Sequence, residues 1–268
     1  MQKVRPKKAL GQHFLTDLSI ARRIASTLDD FKSEPVIEVG PGMGVLTRFL
    51  LEEGHNLKVA EIDGESIEYL NNEFPELAED GRVIEGDFLQ LDLSAVFPGA
   101  ERISVIGNYP YNISSQIFFH VLDYKDLVGC CSGMLQREVA ERLAAGPGTK
   151  TRGILSVLLQ AWYDVEYLFT VSETVFNPPP KVKSGVIRMV RNSVKDLGCD
   201  ERLFKTVVKT TFGQRRKTIR NSVRGLLPGG APMPESPLLA MRPEQLTVEQ
   251  FIELTNLVSS SRKDNERI

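Results

Sequence analysis

Asn108-Tyr109-Pro110-Tyr111, framed by Gly107 and Asn112, brings together residue types that can grip an amino group on a flat ring. The apolar run 103–106 before it reads as a buried strand, which puts the cluster at that strand's carboxyl end. There the Asn108 side-chain carbonyl and the backbone carbonyl of Pro110 can accept the two amine hydrogens. Tyr111 can stack on the ring face. The combination suggests chemistry on the exocyclic nitrogen of adenine. An isolated Asn-x-Pro-Tyr is equally what a proline-closed turn after a strand looks like, so the choice depends on what lies upstream.

Upstream lies a candidate cofactor site. Val36–Gly40 reads as a short buried strand that turns through Pro41-Gly42-Met43-Gly44 into the helical segment 45–51. Glycines let backbone approach a ligand closely, and a following helix offers free N–H groups. Gly40, Gly42 and Gly44 give G-x-G-x-G with Val45 next, shorter than the dinucleotide G-x-G-x-x-G. The next strand, 57–61, ends in Glu61, where a carboxylate can take both ribose hydroxyls. Residues 83–88 end a third strand at Asp87, placed to meet an adenine amine, with Phe88 beside it. Three acids (Glu38, Glu61, Asp87) and Asn108 thus sit at the carboxyl ends of successive strands, where ligands bind in open α/β sheets. NAD and S-adenosylmethionine share the adenosine. The short glycine spacing and the Asn-Tyr-Pro-Tyr favour the sulfonium donor.

These residues, with Leu10–Leu15, Glu61–Asp63, Leu135–Val139, Phe176–Ser184 and Phe212–Asn221, make the chain resemble the ribosomal RNA adenine dimethyltransferases of the KsgA/RsmA type. The matching motifs run in order from position 10 to about 221. The resemblance implies S-adenosyl-L-methionine as methyl donor and no metal. Two adjacent adenosines, in a hairpin near the 3′ end of small-subunit (16S) rRNA, would be dimethylated at N6 late in ribosome assembly. Carried over residue by residue, His13 and Leu15 would contact the donor from an N-terminal arm. Gly40 would approach its methionine portion, Glu61 its ribose, Asp87 its adenine, and Asn108 its methionine end as well as the target amine. Tyr111 is the candidate for stacking on the target base, with Phe176, before Pro178-Pro179-Pro180, as a second aromatic wall. The family often has Leu where Tyr109 stands, so the target pocket is expected to differ in shape there.

Composition at first argues against a nucleic-acid partner: the net charge is −2 and the pI near 6.0. The distribution removes the objection. From Lys181 onward there are 17 Lys and Arg against 9 Asp and Glu, and before it 16 against 26. Residues 205–224 hold seven basic residues and no acid. Arg216, Arg220 and Arg224 recur at helical spacing, with Ile219, Val223 and Leu226 on another face. Stacked like charges repel, so a polyanionic partner explains them better than stability does. Arg215, Arg216, Lys217, Arg220 and Arg224 are the candidate RNA contacts.

Strand-like runs at 36–40, 57–62, 82–86, 103–107 and 128–135 alternate with amphipathic stretches, which predicts a mostly parallel sheet. The runs 165–171 and 185–190 would close it as an antiparallel pair, as class I methyltransferases do by resemblance. The expected fold is α/β: a class I methyltransferase Rossmann-like sheet, with a small α-helical C-terminal domain. The donor-binding domain, with its arm, is expected over 1–192 and a helical RNA-docking domain over 193–268. A capping box at Thr247–Gln250, with Leu246 and Phe251 as its hydrophobic staple, should start the last helix. Cys130, Cys131 and Cys199 make no metal or disulfide pattern, and the adjacent pair reads as reduced core. No apolar run is long enough to span a membrane, and the basic start (Lys3, Arg5, Lys7, Lys8) lacks a secretory signal's apolar stretch. A cytoplasmic monomer acting on rRNA in the small ribosomal subunit or its precursor is expected. The alternatives are a large-subunit rRNA adenine methyltransferase of the antibiotic-resistance type, and a non-catalytic ribosome assembly factor.

Overall fold

Among the described residues, largely apolar runs form nine strands: β1 (Phe14–Leu15), β2 (Val36–Val39), β3 (Leu57–Glu61), β4 (Val83–Glu85), β5 (Ile103–Asn108), β6 (Val128–Gln136), β7 (Tyr163–Val171), β8 (Phe176–Asn177) and β9 (Ser184–Arg191). The computed structural model describes residues 4–7, 10–229 and 231–265. Lys3 and Lys8 of the basic start lie outside them.

Seven strands make one sheet in the order β4-β3-β2-β5-β6-β9-β7. β2 runs parallel to β3 and β5, β3 to β4, and β5 to β6. β9 pairs antiparallel with β6. Every residue of β2 is buried, as expected of a strand covered on both faces. Strand order reverses beside β2, which lies between β3 and β5. In open α/β sheets the ligand crevice forms beyond the carboxyl ends of the strands at such a switch point. β1 and β8 form a second, two-stranded antiparallel sheet in which Phe14 faces Asn177 and Leu15 faces Phe176.

The chain divides into two compact units: residues 1–141 with 164–191, and residues 142–163 with 192–268. Composition alone places 142–163 in the first domain. Its helix Ile154–Gln160 instead packs on the helix Glu201–Gly213 of the second unit. Within that unit Arg152, 1% exposed, donates to the Ala145 carbonyl (2.6 Å) and Gln160 Oε1 (2.7 Å), so the segment carries its own polar core. The last helix, Val248–Asn265, starts at the expected capping box. Thr247 N–H donates to Gln250 Oε1 (2.9 Å), and Gln250 N–H to Thr247 Oγ1 (3.2 Å). Leu246 and Phe251 are fully buried, and Phe251 stacks on Phe212.

The amphipathic helix expected through Arg216, Arg220 and Arg224 is interrupted. One helix ends at Gly213, residues 214–216 form a turn, and a new short helix runs only from Ile219 to Val223. Gly213 is a poor helix former, and the like-charge i, i+4 pairs Arg216/Arg220 and Arg220/Arg224 would repel on a continuous helix. Ile219 and Val223 are still buried, and Arg216, Lys217, Arg220 and Arg224 still exposed.

Cys130 and Cys131 are free and fully buried in β6. Burial pushes both thiols up, Cys131 to about 12. Among the described residues, no helix is long and apolar enough to cross a membrane, and no group of three or more His, Cys, Asp or Glu could hold a metal ion.

Candidate active site

The carboxyl ends of β2, β3 and β5, the segment after β4 and the N-terminal arm surround one cleft, all within the first unit. Among its lining residues are His13, Leu15, Gly40, Glu61, Asp87, Asn108, Pro110 and Tyr111. Six separated stretches of sequence therefore meet, and of the expected donor and target residues only Phe176 is missing from the lining.

The glycine loop comes first. Gly40, Gly42 and Gly44 have φ of +62°, +56° and +69°, conformations that side chains rarely adopt. A Cβ on Gly42 would meet the Phe14 ring at 2.9 Å, and one on Gly44 the Phe74 ring at 2.2 Å. Three left-handed residues thus drop the backbone from β2 into the helix Val45–Glu52 while an arm aromatic seals the loop's outer face.

Glu61 ends β3 and is 4% exposed. Its Oε2 accepts Gly42 N–H (3.0 Å), and its Oε1 accepts Ile62 N–H (2.9 Å) and Asp63 N–H (3.0 Å). Burial raises its pKa, against the pull of those backbone donors. It therefore ties the glycine loop to β3 and keeps lone pairs for a diol. Asp87 accepts Leu89 N–H on Oδ1 (2.9 Å), which leaves its second oxygen for an adenine amine. Glu38, at 1% exposed, accepts the Thr47 hydroxyl (2.6 Å) beneath the loop. Burial, with the Glu61 charge nearby, pushes its pKa up to about 8.

Two residues quoted only as motif letters in the sequence organise the arm. Asp63 caps the helix Gly64–Glu73 through Glu65 N–H and also receives Lys7 Nζ and Gln12 Nε2. Burial alone would raise its carboxyl, but those donors and Ser66 outweigh it and hold it below the usual range. Gln12 in turn accepts Lys7 N–H (2.8 Å). The arm is thereby fastened beside Glu61. The signal was the spacing of Glu61 and Asp63, which puts one acid in the cleft and the other at a helix start.

Asn108 closes β5. Its amide nitrogen donates to the His13 carbonyl at 3.0 Å, leaving the side-chain oxygen without a partner among the described residues. The Pro110 carbonyl accepts Ile113 N–H at a long 3.2 Å and retains a second lone pair. Tyr111 stacks on His13, with centroids 5.5 Å apart and planes at 29°. His13 Nδ1 lies 2.8 Å from the Pro178 carbonyl. His13, expected to contact the donor, lines the cleft; its backbone carbonyl fixes Asn108 and its ring faces Tyr111.

One expectation changes. Phe176 is 4% exposed and belongs to a core cluster with Leu15, Ile24 and Met134, because β8 exists only by pairing with the arm. It stands in the core and not as an open wall. Tyr109, expected to alter the shape of the target pocket, is among the residues lining the cleft, and is only 1% exposed. Its hydroxyl donates to the Ser132 carbonyl (2.7 Å), and its ring fills space left by Gly107 and Gly133. Extra volume at position 109 therefore enters the core under β5 and β6.

Of the candidate RNA contacts, Arg215 is engaged internally, with the Lys150 carbonyl and, at 3.9 Å, Glu244. The other four project from the second unit as exposed cations.

The arrangement can hold an adenosine-bearing donor: glycine loop for its charged end, Glu61 for a ribose, and Asp87 beside buried Phe88 for an adenine. It leaves Asn108, Pro110 and Tyr111 for a second substrate.

Comparison with known proteins agrees. The profile of a family described as ribosomal RNA adenine dimethylase matches residues 3–259. A protein from Parabacteroides distasonis named ribosomal RNA small subunit methyltransferase A is 68% identical over 266 residues, covering 99% of this chain and 98% of that protein. The namesakes from Porphyromonas gingivalis and Cytophaga hutchinsonii are 63% and 53% identical, over 96% and 97% of this chain and 99% of each of theirs. Among solved structures, a dimethyladenosine transferase from Plasmodium falciparum is similar in fold, with a TM-score of 0.74 at 22% identity over 93% of this chain and 98% of that one. So is the 23S rRNA methyltransferase ErmE, at 0.65 and 23%, over 92% and 99%.

Proposed function

The chain belongs to the ribosomal RNA adenine dimethylase family, and from that premise we propose that the cleft dimethylates adenosine N6 in small-subunit rRNA. The enzyme is an S-adenosylmethionine-dependent rRNA methyltransferase. Its substrate is two adjacent adenosines of a hairpin near the 3′ end of 16S rRNA, in the small subunit or its precursor, and it acts as a cytoplasmic monomer. The observation that carries the reading is the fixed Asn108 amide: its nitrogen is held by the His13 carbonyl, so its oxygen is presented as an acceptor.

When bound, S-adenosylmethionine supplies a methyl group on a cationic sulfur, which leaves as a neutral thioether. Glu61 would hold the donor's ribose, Asp87 its adenine amine, and the glycine loop its amino-acid end. Asn108 Oδ1 and the Pro110 carbonyl take the two N6 hydrogens, which favours a pyramidal nitrogen with a freer lone pair. That lone pair would then be held in line with the methyl that the donor would supply. The methylated nitrogen is acidic and loses a proton to water, so no strong side-chain base is needed. Catalysis is largely positioning with oriented dipoles, an effect of about 7–11 kcal/mol in favourable cases. Tyr111 stacks on the extruded base, a contact of about 1–3 kcal/mol. Phe176 supports that site from behind, through Leu15 and β8. Arg216, Lys217, Arg220 and Arg224 bind the RNA backbone, with Arg215 supporting their loop.

Labelled donor incubated with undermethylated small subunits, large subunits and naked DNA, with digestion and mass spectrometry, tests the reading. Dimethyladenosine from small subunits alone is the expected result. Label in large-subunit RNA would move the assignment to the resistance-type enzyme, which the names of the relatives above 50% identity do not favour.

A further inference from the structure

We infer that Ser184 is a positioning residue of the target-base site, acting on the base through Tyr111. The inference rests on the dimethyltransferase reading of the same cleft and adds the group that sets the plane of its stacking ring.

Tyr111 lines the cleft, but its hydroxyl turns inward to Ser184 Oγ at 2.5 Å. Ser184 is fully buried. It begins β9 opposite Gln136, the last residue of β6. Arg137 N–H donates to the carbonyl of Lys183, one residue before it, at 3.0 Å. One residue after it, a Cβ on Gly185 would meet the Tyr167 ring at 2.8 Å and Ala140 at 2.9 Å. The serine is therefore clamped on both sides along its strand and has little freedom to follow a moving partner.

A tyrosine ring on a surface turn can swing about χ1 and rotate about χ2. Here the backbone at Pro110 fixes one end and the Ser184 hydroxyl the other. The phenol stays neutral, because burial raises its pKa against the opposing Ser184 bond, so both hydroxyls remain competent donors and acceptors. A wall whose plane is preset spends none of the stacking energy on ordering itself. Loosened, it would accept the base in several poses, of which few align the amine with Asn108. An alternative is that the bond merely satisfies a buried hydroxyl, which would affect folding alone.

The test is a double-mutant cycle of Ser184→Ala and Tyr111→Phe. Methylation of undermethylated small subunits is measured alongside donor affinity and thermal stability. Each single change should lower kcat/KM for the subunit by about 10-fold, the loss of one hydrogen bond, with donor Kd unchanged within about twofold. The double variant should be no worse than the poorer single, since both remove the same bond. Losses that multiply, or wild-type kcat/KM in Tyr111→Phe, would overturn the assignment. Should Ser184→Ala fail to fold, Tyr111→Phe decides by the same criterion, because it leaves Ser184 in place. A wild-type enzyme that methylates no small-subunit adenosine removes the dimethyltransferase reading as a whole. Normal wild-type turnover with unaffected variants removes only the role of Ser184.

Discussion

At Asn108 the amide is oriented by a main-chain carbonyl from the arm, so the acceptor needs no second side chain to hold it. Asn108→Ala should keep most donor affinity, because Glu61 and Asp87 remain, and should lower kcat by about 100-fold or more, as for other preorganised polar groups aimed at a reacting atom. Single-turnover transfer together with equilibrium donor binding measures both; near wild-type turnover would reject the role. Glu38 offers a different test. Its folded pKa of about 8 lies above the ordinary value of 4.5, so between those pH values the native chain holds a proton that the unfolded chain releases. Its contribution is fully present below about pH 4.5 and is lost as pH rises toward 8. Glu38→Gln should therefore flatten the fall of melting temperature with pH across that window, and an unchanged slope would show that Glu38 is ionised throughout. At this scale sequence reading recovered the strand-end residues, because Glu61, Asp87 and Asn108 each follow an apolar run that fixes their position. It could not place Phe176 or Tyr109, whose surroundings come from strands distant in the chain.

The elements show the same division. Strands of the main sheet were legible within one or two residues, because both-face burial requires continuous apolar runs. β1 and β8 were not, since two-residue strands leave no period to detect. The single-helix reading of Arg216 to Arg224 failed at residues 216–218, which join a turn to the short helix Ile219–Val223, so the i, i+4 spacing persists in sequence but the helix does not. The seam between β5 and β6 carries the sharpest prediction. A Cβ on Gly133 would lie 2.2 Å from the Gly107 carbonyl oxygen and 2.7 Å from the Tyr109 ring, at φ +149°. Gly133→Ala must displace backbone directly beneath Asn108. A loss of about 3 kcal/mol should appear as a melting temperature lower by roughly 6–12 °C, with transfer impaired more than donor binding. A variant as stable as the parent would mean that the seam relaxes freely.

For the whole molecule, charge is segregated by position along the chain, with the acidic excess before residue 181 and the basic excess after it. Replacing Arg216, Arg220 and Arg224 together by Ala should weaken small-subunit binding and reduce the slope of log affinity against log salt by about 2–3. Filter binding across a salt series reads this, and an unchanged slope would remove these residues from the RNA contact. The two-unit division was partly legible: composition located the change near residue 192 but not the return of 142–163, whose apolar helix carries no mark of which unit it joins. The pairing of β1 with β8 also bears on how the enzyme is made. Residues 10–15 leave the ribosome long before the strand that Phe14 and Leu15 lie against, Phe176–Asn177, and before Pro178, whose carbonyl faces His13. The glycine loop, Glu61 and Asp87 are all synthesised well before that. During translation the donor cleft therefore stands open at its front until the tail of the catalytic unit emerges, and a nascent chain stalled short of Phe176 is expected to retain no donor.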